Sequence, residues 1–156
     1  MDEKTAEASA KDNETRRFVA DAIAAEKRDV PLTCNPAFIS MGAILVDGQA
    51  GDVLLSFVAD EGTAQGNGVV NGGTMAAMLD TAMAVAVLSA LRPGQTCATI
   101  SLNVNMLRAG KIGRLYVRAG VEKLGGRVAF AHAQLLSEDR MPLATASSSL
   151  AVWDIN

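Results

Sequence analysis

Residues 68 to 91, Gly-Val-Val-Asn-Gly-Gly-Thr-Met-Ala-Ala-Met-Leu-Asp-Thr-Ala-Met-Ala-Val-Ala-Val-Leu-Ser-Ala-Leu, limit what this chain can become more than any other stretch. From Thr74 to Leu91 there is no Gly or Pro, and Ala recurs at 76, 77, 82, 84, 86 and 90, which predicts one long helix. Asn71 stands where an N-cap is wanted, and Arg92-Pro93-Gly94 supplies a cation, a breaker and a turn residue at the other end. Only Thr74, Asp80, Thr81 and Ser89 interrupt its apolar faces, so protein should cover it on nearly all sides. A membrane span is the rival reading. A carboxylate near its middle and the amphipathic strand patterns around it count against that rival.

Asp80 is the informative residue, because an ionisable group in an apolar helix is costly unless a partner or a task holds it there. Gly72-Gly73 opens the helix, where backbone amides have no intrahelical acceptor and the dipole favours an oxygen gaining negative charge. The two features lie eight residues apart, about 12 Å along the axis at ~1.5 Å per residue. One carbonyl cannot touch both. A shared site therefore requires a second helix running antiparallel, with Asp80 of one chain facing Gly72 of the other across a two-fold axis. The bland alternatives are a buried Asp satisfied by a neighbouring hydroxyl and glycines kept for packing.

The 156 residues suit a single domain with a real core, and a 49% hydrophobic share suits an ordered oligomer. A net charge of −3 disfavours a nucleic-acid partner. Cys34 and Cys97 make neither a zinc motif nor a disulfide framework, which points to a reducing compartment and to no metal or other cofactor. The acidic start, Met-Asp-Glu-Lys-Thr-Ala-Glu, has no apolar core and is not a signal peptide, so a cytoplasmic location without membrane attachment is expected.

In chain order, residues 1 to 14 are expected to fray. Phe18, Val19, Ala22 and Ile23 mark a short amphipathic helix that ends before Pro31. Residues 1–30 thus form a polar N-terminal segment and 31–156 the main domain. Pro31 to Pro36 reads as a connector, and Phe38 to Val46 as a first strand broken by Gly42. The turn Asp47 to Asp52 joins it to Val53 to Ala59 in an antiparallel hairpin. A Gly-rich loop from Asp60 to Val70 leads to the helix. Four strands follow: Cys97 to Leu107, Arg114 to Leu124, Arg127 to Leu136 and Leu143 to Trp153. Ala129, Ala131 and Ala133 alternate along the third of these, giving a face small enough to lie against a helix. The class is α+β: about six antiparallel strands wrapped around one central helix, plus the short N-terminal helix.

This layout resembles the hotdog fold, and Asn71-Gly72-Gly73 with Asp80 resembles the His-Gly-Gly…Asp signature of the PaaI-like acyl-CoA thioesterases, with Asn in place of His. Gln65, six residues before Asn71, Thr99 on the following strand, and the turn Leu107-Arg108-Ala109-Gly110-Lys111-Ile112-Gly113 match further family positions, Ala109 replacing the usual Pro. The resemblance covers about residues 35 to 153. It implies hydrolysis of an acyl-CoA or aryl-acyl-CoA to free acid and CoA in a homodimer or homotetramer. The Gly72 amide would meet the oxyanion, and Asp80 of the neighbouring chain would attack or activate water. Gln65 would orient water or thioester, and Thr99 would hold Asp80 or the water. Asn71 and Gly73 would contact substrate. Apart from the resemblance, Arg108, Lys111 and Arg114 cluster around one turn that could meet the phosphates of CoA, although a solvated basic turn is the more common situation.

Other chemistries fit less well. Gly66-Asn67-Gly68 lacks the third Gly of a dinucleotide loop, and no Gly-x-Ser-x-Gly elbow occurs. His132, the sole His, reads as a packing or interface residue, and a Cys97–His132 dyad has nothing to activate its thiol. Hotdog hydratases carry His five residues after their Asp, where Val85 stands here. A non-catalytic acyl-CoA binder on the same fold is the alternative of a different class.

Overall fold

The computed structural model describes residues 11–156. A first helix, α1 (Glu14–Ala24), is capped by Asn13, whose side chain accepts from the Arg16 amide. It buries Val19 completely. The fraying expected of residues 1 to 14 falls outside the described residues for 1–10. Among the rest, Asp12 and Asn13 are tied down: Asp12 forms an ion pair with Arg16 and accepts from the Gly94 amide at 3.1 Å, while Asn13 donates to Thr96 Oγ1 at 2.9 Å.

A two-residue strand, β1 (Val30–Pro31), precedes a short helix, α2 (Pro36–Ser40). This corrects the expected strand from Phe38. Asn35 caps the Phe38 amide and Pro36 occupies the first helical position, so Asn-Pro starts a helix here rather than continuing a connector. Gly42, at φ 59°, turns the chain out of it, and β2 (Ile44–Gln49) begins two residues later. The hairpin to β3 (Asp52–Ala59) is tighter than expected, its turn reduced to Ala50-Gly51 with Gly51 at φ 82°. Gly51 donates to Ser89 Oγ at 2.9 Å, which pins the turn to the central helix.

That helix, α3 (Gly72–Ala90), is followed by β4 (Gln95–Met106), β5 (Gly113–Leu124), β6 (Val128–Leu136) and β7 (Pro142–Asp154). All strands pair antiparallel in the order β1-β2-β3-β5-β6-β7-β4. The α3 segment leaves β3 and delivers the chain to β4 at the far edge, so it must pass over β5, β6 and β7. This is the hotdog fold. Length and composition would suit α3 to a bilayer, yet ten of its 19 residues are buried within the domain. Leu79, Ala82, Met83, Val85, Ala86 and Val87 are wholly inaccessible. Facing strands offer Ala119, Ala129, Ala131, Ala133, Ala144 and Ala146, and these small side chains let backbone and helix approach closely.

The covering of α3 is not complete. Gly73, Ala77, Asp80 and Ala84 follow one another at helical spacing and all retain exposure, leaving one small-residue stripe open. On one side this stripe is bordered by β4, which is the sheet's edge and carries Ile100, Leu102 and Met106 exposed.

Candidate active site

Asn71 builds the start of α3. Its Oδ1 accepts from the Thr74 amide at 2.8 Å, and its Nδ2 and backbone N–H both donate to Thr63 O at 2.8 Å. Both ends of the side chain are thus engaged within the chain. The loop it closes is zipped further by Gln65 N–H to Val69 O at 2.8 Å and by a bridge between Ala64 and Val70. A bond from Val70 N–H to Gly110 O at 2.9 Å ties that loop to the β4–β5 turn.

The amides of Gly72 and Gly73 fall in the first turn of α3, where a helix supplies no acceptor, and both residues are exposed. Gly72 sits at a cleft of about 300 Å³ lined by Gln65, Val70, Met75, Met106 and Arg108 among others. A side chain at position 72 would meet the Met106 methyl at 3.4 Å. Through Arg108 and Ala109 the cleft adjoins a second cavity of about 460 Å³ that also holds Lys111 and Arg114, together with Glu138 and Asp139. Arg108 donates to Pro142 O and Arg114 to Ser56 Oγ, each at 2.9 Å, so two of the three cations are anchored by neutral oxygens.

Asp80 lies two turns further along α3, on the open stripe. Thr99 Oγ1 donates to Asp80 Oδ1 at 2.7 Å, leaving Oδ2 free to face solvent. Thr99 pairs with inward-facing Leu150 in the unbroken β4–β7 register that starts at Gln95, and the register shifts only beyond it, between Thr99 and Ser101. Cys97 is two residues away on the same face, and its thiol is pushed up to about 11, first by burial and then by the Asp80 charge. A reactive thiolate is therefore disfavoured. His132 alternates with the inward alanines, faces outward on β6, and places Nδ1 3.3 Å from Glu122 Oε1. With β7 between their strands and opposite faces presented, Cys97 and His132 do not form a dyad. No cluster of three or more metal-ligating side chains occurs among the described residues.

Of the residues singled out by sequence, two groups come together in one chain: Gln65, Asn71, Gly72, Gly73 and the Arg108 turn at the helix start, and Asp80 with Thr99 further along. The eight-residue offset along an unbroken α3 keeps the groups about 12 Å apart. Met41 had no sequence signal. It lies against Thr81, whose Oγ1 donates to Met41 Sδ at 3.8 Å, on the flank of the stripe opposite β4.

Known proteins resemble this chain in sequence and in fold. The chain is 33% identical over 89 residues to a Pseudomonas aeruginosa protein named as an esterase, covering 56% of this chain and 66% of that protein's length. A phenylacetic acid degradation-related protein of Ralstonia eutropha, named as a thioesterase, superposes with a TM-score of 0.74 at 28% identity, over 89% of this chain and 99% of the other. A Streptococcus mutans structure bound to acetyl CoA shares the fold at a TM-score of 0.65 and 18% identity, over 72% and 89% of the two chains. The model of the Thioesterase superfamily matches residues 67–144, half of the chain, spanning the Gly-Gly turn, Asp80 and Thr99. With that match on this fold, the chain belongs to the hotdog-fold thioesterase superfamily, an enzyme family related to the PaaI-like proteins.

Proposed function

We propose that the protein hydrolyses acyl-CoA thioesters to free acid and CoA as a homodimer, each site taking the Gly72 amide from one protomer and Asp80 from its partner. The observation that carries this reading is the open stripe on α3. It presents a carboxylate fixed by Thr99, has only small residues around it, and runs beside an apolar edge strand. An antiparallel second copy would cover the stripe and extend the sheet, removing the unpaired edge and bringing Gly72 opposite Asp80. The homologous fold that binds acetyl CoA supports a CoA ester as substrate. So do Arg108, Lys111 and Arg114 near the Gly72 cleft, as partners for its phosphates. The two cysteines are free thiols, in keeping with a cytoplasmic location.

Chemically, the Gly72 N–H and the helix dipole stabilise the negative oxygen that forms as the carbonyl carbon becomes tetrahedral. Asp80 either removes a proton from an attacking water, so that C–S cleavage gives the free acid directly, or itself attacks the carbon, so that C–S cleavage leaves an acyl–Asp anhydride which water then hydrolyses to the free acid; either way CoA leaves as a thiolate and takes up a proton. Thr99 fixes one carboxylate oxygen so that the other meets the substrate, and Gln65 orients water or thioester from the loop. Asn71 and Gly73 shape the entrance.

Thiol release from acetyl-, hexanoyl- and phenylacetyl-CoA tests the proposal. Asp80→Asn should lower kcat about 10²- to 10⁴-fold with the melting curve unchanged. Acyl-CoA binding without thiol release by the unaltered protein would make it a binding protein instead, and near-normal turnover in Asp80→Asn would remove Asp80 from the chemistry.

A further inference from the structure

Asp80 has two flanks, and they differ. Thr99 of β4 closes one side with a hydroxyl, while the other is bounded by the turn that follows α2, where Met41 accepts a bond from Thr81. That bond occupies the Thr81 hydroxyl, so this flank offers a thioether and hydrocarbon. Ile39, 58% exposed on α2, projects from the same short element, and Phe38 and Met41 are only partly buried against the core. From Val30 to Val46 the chain has no charged residue. An exposed, uncharged, apolar turn beside an anchored carboxylate is an unusual thing to leave to water.

The proposed substrate is directional, which decides what this turn meets. Its CoA arm carries phosphates, and the cations stand around the cavity that adjoins the Gly72 cleft. If the phosphates lie there, the thioester carbonyl sits at the Gly72 amide and the acyl arm continues away from the cations, toward the protomer that supplies Asp80. The flank of Asp80 available to it is the α2 turn.

We infer that Ile39 and Met41 of the Asp80-bearing protomer read the acyl group, and that they select an apolar acyl chain longer than acetyl over a short or charged one. This rests on the acyl-CoA hydrolysis proposed above. The CoA arm is then held by one protomer and the acyl arm by the other, so acyl preference and CoA affinity vary independently. Met41, with its flexible thioether, accommodates straight and aryl chains alike.

The test is the ratio of kcat/KM for hexanoyl-CoA to that for acetyl-CoA, with succinyl-CoA as the charged comparison, in the full-length protein. The unaltered protein should prefer hexanoyl- to succinyl-CoA. In Ile39→Ala and Met41→Ala the hexanoyl-to-acetyl ratio should fall about tenfold, and Met41→Leu should retain most of it. Ile39 is exposed, so its truncation leaves the fold intact even if Met41→Ala does not. An unchanged ratio in Ile39→Ala and Met41→Ala, or an equal loss for all acyl groups, overturns the acyl-reading role while leaving hydrolysis standing. No thiol release from any ester by the unaltered protein overturns hydrolysis itself, and the inference with it.

Discussion

Replacing Asn71 separates two jobs that the structure assigns to one side chain. Its Oδ1 caps the Thr74 amide and its Nδ2 tethers the loop through Thr63 O. Loss of an Asn cap costs ~1 kcal/mol. Loss of the tether costs about another 1 kcal/mol at most, because Thr63 O keeps the Asn71 backbone N–H at 2.8 Å and is not orphaned. Asn71→Ala should therefore destabilise the protein by about 2 kcal/mol, lowering Tm by about 4–8 °C for a domain of this size. Asn71→Ser keeps a capping oxygen and loses only the tether, so about half that shift is expected. Activity should not follow stability. Both variants remove the side-chain tie from Asn71 to the loop bearing Gln65 while its backbone bonds remain, so both should lose kcat by about tenfold, a misplacement of about 1 Å being worth up to ~10²-fold. Calorimetric melting and thiol release at saturating acyl-CoA make the comparison. Equal Tm losses in the Ser and Ala variants would refute the division of labour. Normal kcat in both would show that the loop does not depend on Asn71 for its placement.

Three further outcomes follow from bonds seen elsewhere. Thr99→Val keeps shape but removes the donor to Asp80, so kcat should fall about tenfold and Thr99→Ser should recover most of it; a fully active Val variant would discount this bond. Arg16 and the Gly94 amide hold the Asp12 carboxyl below its usual 3.8. Its folded value being depressed, its stabilisation is present above pH 3.8 and lost as pH falls through the lowered value, so the Tm gap between the unaltered protein and Asp12→Asn should shrink as pH falls below 3.8; a constant gap would contradict this. Cys97, raised to about 11, should be alkylated at a rate still climbing above pH 9, and Asp80→Asn should bring the rise to lower pH, as followed by peptide mass; a rate already level at pH 9 would show that the thiol is not so perturbed.

Helix α3 and the last four strands were legible because each carries a long, unambiguous signal: alanines without a breaker in one, period-two alternation in the others. The short α2 was not, since five residues hold too little periodicity, although Asn35-Pro36 was there as a cap and first-turn pair. The open stripe on α3 was hidden for a different reason. Asp80 apart, its residues are as small and uncharged as many on the buried faces, and only the position of the sheet distinguishes Ala77 from Ala86. Asp80 and Gly72 could be picked out by type and spacing and Thr99 by the family resemblance, but that the Thr99 hydroxyl reaches Asp80 depends on where β4 lies against α3, which no local pattern announces. The Asp12–Gly94 and Met41–Thr81 contacts join residues far apart in sequence and exist only once the sheet has curled.

The alanines under α3 also limit how such a chain can diversify. Where six strand positions are already trimmed to a methyl group and helix and sheet lie in contact, a larger side chain has nowhere to go without prising the layers apart, at a typical cost of 1–3 kcal/mol per site. Room for change lies outward, in the peripheral turns that bear no load from that close packing.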